Sequence, residues 1–433
     1  MMKRFLVLVT LFAFVAFPFV TNAQMDNLAN MSAKWIRMNA RNAAFDGADI
    51  VNYNPAGLVK LSDGFHFSLN NQSLFRSPQH SFNLGYGKQD FKQDGADPFL
   101  PSLYAAYKKD KWAISSGVYI TGGGASADYP DGSFNIYLMG YKNLATVNAT
   151  YGTSYTKIYG SLKASSYYIA VPLNFSYAIN ENLSLSLGGR YIIAKNKTEA
   201  DLNLPEISTT ANVDYKKNAT GFGGIIGLNY SLNEKLNFAI HYETKVKLEF
   251  EADNNKGNTI LEPNGTKSNR DLPAVLYTGI SYKFTDKFTT SLDFNYYFQK
   301  NADWGKATDP RTGEKVEVSE IAGDCYHIAL GLQYQLLPKL QLSAGCKYIH
   351  FNYDDQELYY TQMGVYESVK YDNFNLGIGA GYKVTDKIQI DLGVGRTFWK
   401  DKTIDRPLSS SVKAPVDISN SSYVVALGVD VAF

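Results

Sequence analysis

Apolar and polar side chains alternate along most of this chain, from about Phe65 to the C-terminal Phe433. The alternation continues over stretches of about 9 to 15 residues, which is the period of a β-strand with two different faces. One face of the last stretch carries Tyr423, Val425, Leu427, Val429, Val431 and Phe433. The pattern predicts strands whose one face contacts hydrocarbon while the other tolerates water.

Short polar turns divide these strands into pairs. The turns are Lys109-Asp110, Asn180-Glu181-Asn182, Asn233-Glu234, Thr285-Asp286, Leu337-Pro338 and Thr385-Asp386. Between the pairs we predict long polar loops at 121–163, 195–217, 251–270, 301–323, 352–370 and 400–419. Six pairs, an opening strand at 65–76 and a closing strand at 420–433 make 14 strands.

An even strand count, with short turns at one end and long loops at the other, is typical of a bacterial outer-membrane barrel. Closure is required because a lipid-exposed sheet cannot leave the N–H and C=O groups of its edges unpaired. A soluble β-sandwich or propeller is the alternative, but aromatic residues near the strand ends and the terminal Phe433 favour the barrel. We therefore predict an all-β membrane protein, a 14-stranded antiparallel outer-membrane β-barrel over residues 65–433.

The residues before the first strand do not alternate and divide into two parts. An uncharged apolar run from Phe5 to Val20 follows two basic residues and precedes Ala23, a small residue suited to cleavage. This arrangement predicts a secretory signal peptide at residues 1–23, with a retained anchor helix as the alternative. Residues 24–64 precede the first strand and are long enough to fold into the lumen as an N-terminal hatch, or plug.

Composition excludes some classes of function. The 42 Lys+Arg and 41 Asp+Glu are balanced, so charge gives no argument for nucleic acid binding. Two cysteines are too few for a disulfide framework. We expect Cys325 and Cys346 to lie on opposite faces and to form no disulfide, because pairing around the turn at Leu337-Pro338 would place Cys325 opposite residue 350.

One segment of the predicted hatch carries a recognisable pattern. Residues 41–58 read Arg-Asn-Ala-Ala-Phe-Asp-Gly-Ala-Asp-Ile-Val-Asn-Tyr-Asn-Pro-Ala-Gly-Leu. The segment resembles the hatch of the long-chain fatty acid outer-membrane transporter family, of the FadL, OMPP1 and TodX type. The positions that match the family pattern are Arg41, Ala43, Ala44, Asp49, Asn54, Pro55 and Ala56. For the last three we expect a hatch turn whose amide side chain binds the barrel wall, with a surface turn as the alternative.

The resemblance implies passive transport of hydrophobic small molecules, by default long-chain fatty acids, across the outer membrane of a Gram-negative bacterium. It also implies an apolar pocket within the barrel and release sideways beside a kinked third strand. Our third strand is Lys111–Ile120, and we place the lateral gap at its small residues Ser115, Ser116 and Gly117. Relief of crowding against an aromatic neighbour is the alternative role for Gly117.

Alternation assigns seven titratable side chains to the lumen: Arg190, His241, Glu243, Asp293, His327, Lys347 and Asp391. Arg190 or Lys347 would favour a fatty acid carboxylate if either reached the pocket. The alternative is that these charges pair with one another, as is ordinary in barrel lumens.

Catalysis has little support in the sequence. The five His are scattered without metal-ligand spacing, and no Ser lies in a nucleophile-elbow pattern. We therefore expect no enzyme, no cofactor and no metal. The competing function is a structural or adhesive outer-membrane barrel without transport, whereas a general porin is disfavoured because the hatch would obstruct a water channel. We expect a monomer whose partners are a hydrophobic ligand and outer-membrane lipid.

Overall fold

The computed structural model describes residues 32–257, 263–363, 370–407 and 411–433, so the predicted signal peptide lies outside the described residues. The strands are β1 Gly64–Arg76, β2 Gln79–Asn83, β3 Lys88–Lys92, β4 Ala96–Lys109, β5 Trp112–Tyr129, β6 Tyr159–Ala178, β7 Leu183–Leu204, β8 Thr209–Ser231, β9 Leu236–Glu243, β10 Glu249–Gly257, β11 Lys267–Asn269, β12 Ala274–Thr285, β13 Phe288–Phe298, β14 Lys306–Thr308, β15 Lys315–Glu317, β16 Asp324–Leu337, β17 Leu340–Asn352, β18 Asn373–Lys383, β19 Ile388–Trp399, β20 Lys402–Pro407, β21 Lys413–Ser419 and β22 Ser421–Ala432. The helices are α1 Ala33–Met38, α2 Phe134–Tyr151, α3 Val318–Ala322 and α4 Gln356–Met363, with 3-10 turns at Ala48–Val51, Pro55–Lys60, Pro205–Ile207 and Gln299–Asn301. Within the described ranges, no helix combines the length and apolar character needed to cross a membrane.

Fourteen strands pair antiparallel into a closed barrel, which confirms the predicted fold class and strand count. The barrel strands are β1, β4, β5, β6, β7, β8, β9, β12, β13, β16, β17, β18, β19 and β22. The first strand pairs with the last from His66↔Ala432 to Arg76↔Ser422, which closes the sheet. Leu173, Leu187 and Phe222 face outward and are between 64% and 70% exposed, as side chains in contact with lipid are expected to be.

Each of the six predicted short turns lies at a tight connection between paired strands. These turns lie at the same end of the barrel as the start of β1 and the C-terminus, where Phe65 N donates to Phe433 O at 2.8 Å. We refer to this as the periplasmic end.

The predicted loop at 195–217 is wrong, because β7 and β8 pair continuously from Leu183↔Tyr230 to Leu204↔Thr209. A membrane needs only about 9–11 residues per strand, so these strands continue well above it. Their outward side chains there contact water and are polar, which removes the contrast between the two faces. The other predicted loops also contain ordered elements, namely α2, β10, β11, β14, β15, α3, α4, β20 and β21.

Both cysteines are free, as predicted, although the strand register differs from the predicted one. Cys325 pairs with Phe351 rather than with residue 350. The difference arises because the turn lies at Pro338-Lys339 and because β16 has a bulge between Gln335 and Leu337, next to that turn.

A second apolar core covers the end of the barrel opposite the short turns. Here β20, β21, β2 and β3 form a separate four-stranded sheet, and α2, α3 and α4 pack with it. The buried core includes Phe82, Phe91, Phe134, Trp304, Tyr360 and Ile418. The extracellular end is therefore a packed cap rather than a set of separate loops.

His80 makes the cap sensitive to acid. Burial lowers the pKa of His80 from 6.5 to about 3, and its Nε2 accepts a hydrogen bond from Phe134 N at 2.9 Å. Because the folded cap disfavours the protonated ring, the stability that depends on neutral His80 is present above pH 6.5 and is lost as pH falls towards 3. We expect the cap to lose about 2 kcal/mol between pH 7 and pH 5.

Hydrogen exchange of the α2 amides at the two pH values, corrected for the intrinsic pH dependence, measures this loss. A His80→Gln variant is the control, because an amide oxygen can accept the same hydrogen bond without titrating. Equal protection of α2 at pH 7 and pH 5 in the wild type would contradict the prediction.

Candidate functional site

Residues 32–61, which we name the plug, pass through the inside of the barrel. α1 contacts β16, β17, β18, β19, β22 and β1, whereas the 3-10 turn Ala48–Val51 contacts β1, β4 and β5. The 3-10 turn Pro55–Lys60 contacts β4, β5, β6, β7 and β8. Because the plug touches strands around most of the circumference, it lies across the straight path along the barrel axis.

Glycines in the wall let α1 lie directly on the strands. A Cβ atom at Gly345 would overlap the carbonyl oxygen of Met38, and one at Gly377 would overlap that of Ile36. The helix begins at Ser32, whose Oγ accepts a hydrogen bond from Trp35 N at 3.0 Å. The surface under α1 is therefore shaped for a helix backbone and not for side chains.

Two ion pairs inside the barrel hold α1 to the wall. Lys34 Nζ lies 2.5 Å from Asp430 Oδ2, and Arg37 Nη2 lies 3.0 Å from Asp391 Oδ1. Arg37 also donates to Gln341 Oε1 at 2.9 Å. Sequence analysis assigned Asp391 to the lumen but identified neither its partner nor the Lys34–Asp430 pair.

Arg41 and Asp49 of the motif pair with each other inside the plug. Arg41 Nη2 donates to Asp49 Oδ1 at 2.7 Å, and Arg41 Nη1 lies 2.7 Å from Asp46 Oδ1. Ser32 Oγ donates to the second oxygen of Asp49 at 2.8 Å. Both motif residues are buried, so their contacts hold the fold of the plug itself.

The Asn54-Pro55-Ala56 part of the motif contacts the wall instead. Asn54 Nδ2 donates to Leu228 O at 2.8 Å, and its Oδ1 accepts from Ala56 N at 3.2 Å. Ser176 Oγ donates to Pro55 O at 2.8 Å, and Ser184 Oγ donates to Ala56 O at 2.7 Å. The turn is thus bonded to β6, β7 and β8, on the side of the barrel opposite α1.

The hydrogen-bonded ladder between β4 and β5 ends partway up the wall. Ser115, Ser116 and Gly117 pair with β4, and the last pair is Leu103↔Val118. Above it, β5 pairs only with β6 over residues 119–125, and the β5–β6 register shifts twice, at residues 121 and 124. We name the unpaired stretch, residues 98–102 and 119–125, the β4–β5 seam. The predicted gap residues therefore lie directly below the seam and not within it.

The seam is bounded above as well as below. Ser126 N donates to Asp97 Oδ1 at 3.1 Å, and Asp94 N donates to Asp128 O at 2.8 Å. Arg76 Nη2 lies 2.7 Å from Asp97 Oδ2 and reinforces the upper edge. The two strands thus separate and meet again, which leaves a window without ladder hydrogen bonds.

Apolar and aromatic side chains are buried behind the window. This interior group includes Tyr53, Leu100, Tyr104, Tyr119, Ile120, Tyr168, Ile192 and Phe250. Tyr53 belongs to the plug, so the plug and the wall together form the surface that the window faces.

Arg190 lies on the inner face, but Glu243 neutralises its charge. Arg190 Nη1 lies 2.6 Å from Glu243 Oε2, and both side chains are almost fully buried. Tyr277 OH donates to the same Glu243 oxygen at 3.3 Å. This pairing is the arrangement given above as the alternative, in which charges in the lumen pair with one another. Glu243 already compensates the positive charge with which Arg190 would bind a ligand carboxylate.

Lys347 lies on the inner face of β17, and the described residues provide no carboxylate partner for it. Its Nζ is 4.3 Å from the ring centroid of Trp35, and the side chain is only 7% exposed. A buried ammonium without a counter-ion is costly, whereas an anionic ligand would complete the site. The two cations that the sequence suggested as contacts for a ligand carboxylate therefore differ. Arg190 is paired with Glu243, whereas Lys347 has no carboxylate partner among the described residues.

A cavity of about 350 Å³ lies away from the β4–β5 seam, on the four-stranded sheet of the extracellular cap. Seven of its eight lining residues are polar or charged, and the eight are Gln79, Ser81, Asp401, Lys402, Thr403, Asp417, Ile418 and Ser419. Among the residues that the structure describes, no group of three or more His, Cys, Asp or Glu is placed to hold a metal ion.

Comparisons with known proteins agree with this architecture. A family model described as "Outer membrane protein transport protein (OMPP1/FadL/TodX)" matches residues 13–433. Outer membrane protein P1 of Haemophilus influenzae is 26% identical over 432 residues, covering 86% of this chain and 85% of that protein. A Pseudomonas aeruginosa FadL homologue of known structure has a TM-score of 0.69 at 13% identity, covering 95% of this chain and 100% of that one.

Two solved toluene transporters also share the fold. TodX of Pseudomonas putida has a TM-score of 0.63 at 15% identity and covers 95% of this chain and 100% of its own. TbuX of Ralstonia pickettii has a TM-score of 0.61 at 15% identity and covers 94% of this chain and 99% of its own.

Proposed function

This chain belongs to the OMPP1/FadL/TodX family of outer-membrane transport proteins, and on that basis we propose that it carries hydrophobic small molecules through the outer membrane by passive diffusion. The observation that carries the proposal is the β4–β5 seam, a window in the wall that faces a buried apolar interior. We propose that residues 24–64 act as the hatch, that residues 1–23 are removed as a signal peptide, and that the protein acts as a monomer.

The route follows from the cost of moving apolar surface through water. A ligand that left along the barrel axis would meet the plug and then enter aqueous periplasm at a cost of about 25 cal/mol per Å² of apolar surface. A ligand that left through the seam would pass directly into the hydrocarbon of the membrane. The plug therefore directs the ligand sideways, and the process needs no source of energy.

We propose long-chain fatty acids as the principal ligands, because Lys347 places a buried amine beside an aromatic surface, and a bound carboxylate would stabilise its protonated form. Aromatic hydrocarbons are the competing class, since two of the similar structures are toluene transporters. Only the fatty acid has a carboxylate for the ammonium to bind. The two classes are therefore distinguished by what happens when the charge is removed.

Replacing Lys347 with methionine is expected to lower the initial rate of fatty acid uptake about tenfold and to leave aromatic hydrocarbon uptake unchanged. The reason is that a charge-assisted hydrogen bond contributes about 1.5–3 kcal/mol, and each 1.4 kcal/mol is a factor of ten in binding. Uptake of both labelled compounds, measured in the same cells, gives the ratio directly.

Lys347→Arg is the matched control, because it keeps the charge and is expected to retain most of the fatty acid uptake. An equal fall for both ligands would indicate a change in packing and would contradict a carboxylate site. Retention of fatty acid uptake in Lys347→Met would contradict it too.

Replacing Gly117 with valine is expected to reduce uptake without reducing assembly of the barrel. A Cβ atom there would lie 2.8 Å from Leu103 O and 3.1 Å from Tyr104 Cδ1, so a larger side chain displaces Tyr104 beside the seam. Val118→Leu is the control, because Val118 is 47% exposed on the lipid face. Uptake normalised to folded protein in the outer membrane measures the effect, and an unchanged rate would count against exit at this position.

A further inference from the structure

The wall has a second seam, between β8 and the segment that joins β9 to β10. β8 pairs with β9 from Ile225↔Glu243 to Ser231↔Asn237, and with β10 from Glu251↔Asn218 upward. Residues 219–224 of β8 therefore lie between the two ladders and pair only with β7 on their other side. We name residues 219–224 and 244–248 the β8 seam.

Few hydrogen bonds cross the β8 seam within the described residues. Thr244 N donates to Gly224 O at 2.9 Å, and Gly224 N donates to Thr244 Oγ1 at 2.7 Å. Backbone hydrogen bonds between residues 219–223 and residues 244–248 are absent from this part of the described structure. In the hydrocarbon layer such a break is costly, so its presence in a barrel wall calls for a specific role.

Glycines shape the β8 seam so that the segment 244–248 lies inside the wall. A Cβ atom at Gly223 would lie 2.7 Å from Val246 Cγ2, and one at Gly221 would lie 2.6 Å from Val246 Cγ1. Val246 is fully buried against the apolar interior, whereas Phe222, between the two glycines, is 70% exposed on the lipid side. Val246, together with the backbone of Lys247 and the side chain of Leu248, thus separates the interior from the outside of the barrel here.

The two seams are joined by one row of residue pairs and face the same interior. The row has three pairs across the four strands β5 to β8, namely Tyr119↔Ala170, Ala170↔Ile192 and Ile192↔Gly221. Tyr119 begins the unpaired part of β5, and Gly221 lies within the β8 seam. At this row, the part of the wall that consists of β5, β6, β7 and β8 therefore has a seam on each side.

Arg190 contacts both seams. Its Nη1 lies 3.5 Å from Thr121 Oγ1, within the β4–β5 seam, and its Nη2 lies 3.4 Å from Thr244 O, within the β8 seam. Glu243, its ion-pair partner, is the last residue of β9 before the break. The ion pair therefore holds the lower end of segment 244–248 in place beneath the β8 seam.

From these contacts we propose that the β8 seam is a second lateral passage, through which hydrophobic ligands move between the barrel interior and the surrounding lipid. This inference rests on the proposed transport function and adds a second route to it. Displacement of Val246 from Gly221 and Gly223 opens the passage, while Arg190 and Glu243 keep the strand below it in place. The ligands are those of the first seam, since both open from one apolar interior.

A reversible disulfide across the β8 seam tests the proposal. In a Cys325→Ala, Cys346→Ala background, the pair Gly223→Cys and Val246→Cys places two Cβ atoms near the spacing of about 3.5–4.5 Å that a disulfide needs. We expect oxidation to lower the initial uptake rate about twofold or more, because gating elements set transport rates when they are locked. Reduction is expected to restore the rate. Mass spectrometry confirms that the bond has formed.

The pair Phe175→Cys and Leu187→Cys is the matched control, because these residues face each other on the lipid side of β6 and β7, in a fully paired part of the wall outside both seams. Oxidation of this pair is expected to leave the rate unchanged. A second variant, Val246→Ala, shortens the side chain that closes the seam and is expected to raise the rate.

Two outcomes distinguish a failure of the second passage from a failure of the proposed transport function. If the background protein transports and both the oxidised lock and Val246→Ala match it, the second passage is wrong while transport through the first seam stands. If the wild-type protein gives no more uptake than cells without it, the proposed function fails and the second passage fails with it.

Discussion

Replacing Gly345 with valine is expected to unseat the plug and to make the barrel permeable to small polar solutes. A Cβ atom at Gly345 would overlap the carbonyl oxygen of Met38, at the C-terminal end of α1. Because the overlapped atom belongs to the helix backbone, no change of rotamer relieves the contact. Overpacking in cores typically costs about 1–3 kcal/mol, and a backbone clash belongs at or above the upper end.

Swelling of liposomes containing the purified variant, measured with a small sugar, reports the permeability. Ala344→Leu is the control, because Ala344 is the neighbouring residue and its side chain points to the other face of β17. We expect swelling for Gly345→Val only. A variant that folds, inserts and stays impermeable would show that α1 does not depend on this glycine surface.

Removing one partner of the Arg37–Asp391 pair is expected to destabilise the seated plug by about 3–5 kcal/mol. Both side chains are at most 1% exposed, so Asp391→Ala leaves the Arg37 guanidinium buried without a counter-ion. The remaining hydrogen bonds to Gln341 and Ser343 cannot supply the missing negative charge. Temperature of unfolding in detergent, followed by the mobility of the folded barrel on gels, measures the loss.

The double variant Arg37→Met with Asp391→Leu is the control, since it removes both charges and leaves none unpaired. We expect it to recover most of the lost stability, because apolar replacement of a whole buried pair is often neutral. If the single and double variants unfold at the same temperature, the pair does not hold the plug and the loss has another cause.

The barrel itself could be predicted from sequence because strand alternation is a local signal. The pattern at Tyr423, Val425 and Leu427 depends on neighbouring residues only, and the short turns are marked by local polar residues. The mistake at residues 195–217 has the same origin. Above the membrane both the outward side chains and a loop are polar, so a local pattern does not distinguish them.

The seams could be predicted only in part, because they depend on register between strands. Gly117 lies on β5, one of the two strands that border the β4–β5 seam, whereas the ladder ends at Val118 and the seam lies above it. The end of the ladder depends on where β4 and β5 diverge, and no single residue records that. The glycines Gly221, Gly223 and Gly224 of the β8 seam can be recognised in the sequence. Their contact with Val246, on which the inferred passage rests, appears only in the folded structure.

The contacts of the plug could not be predicted from its own sequence. Lys34 binds Asp430 and Asn54 binds the Leu228 carbonyl, and both partners lie far away in the sequence, the second by 174 positions. Asn54 could be identified from the sequence because its amide side chain caps a turn two residues away, and a short motif records such a local contact. Which wall residue accepts its hydrogen bond is decided by the folded barrel.

The measurement that tests the central claim most directly is uptake by intact cells of a labelled long-chain fatty acid and of a labelled aromatic hydrocarbon. Cells with the protein, cells without it, and cells with an Asn54→Ala variant shown to assemble in the outer membrane are compared. The account predicts that uptake of at least one compound falls when the protein is absent and when Asn54 no longer binds the wall. Equal uptake of both compounds in all three cell types would contradict transport of these ligands and favour a structural or adhesive barrel.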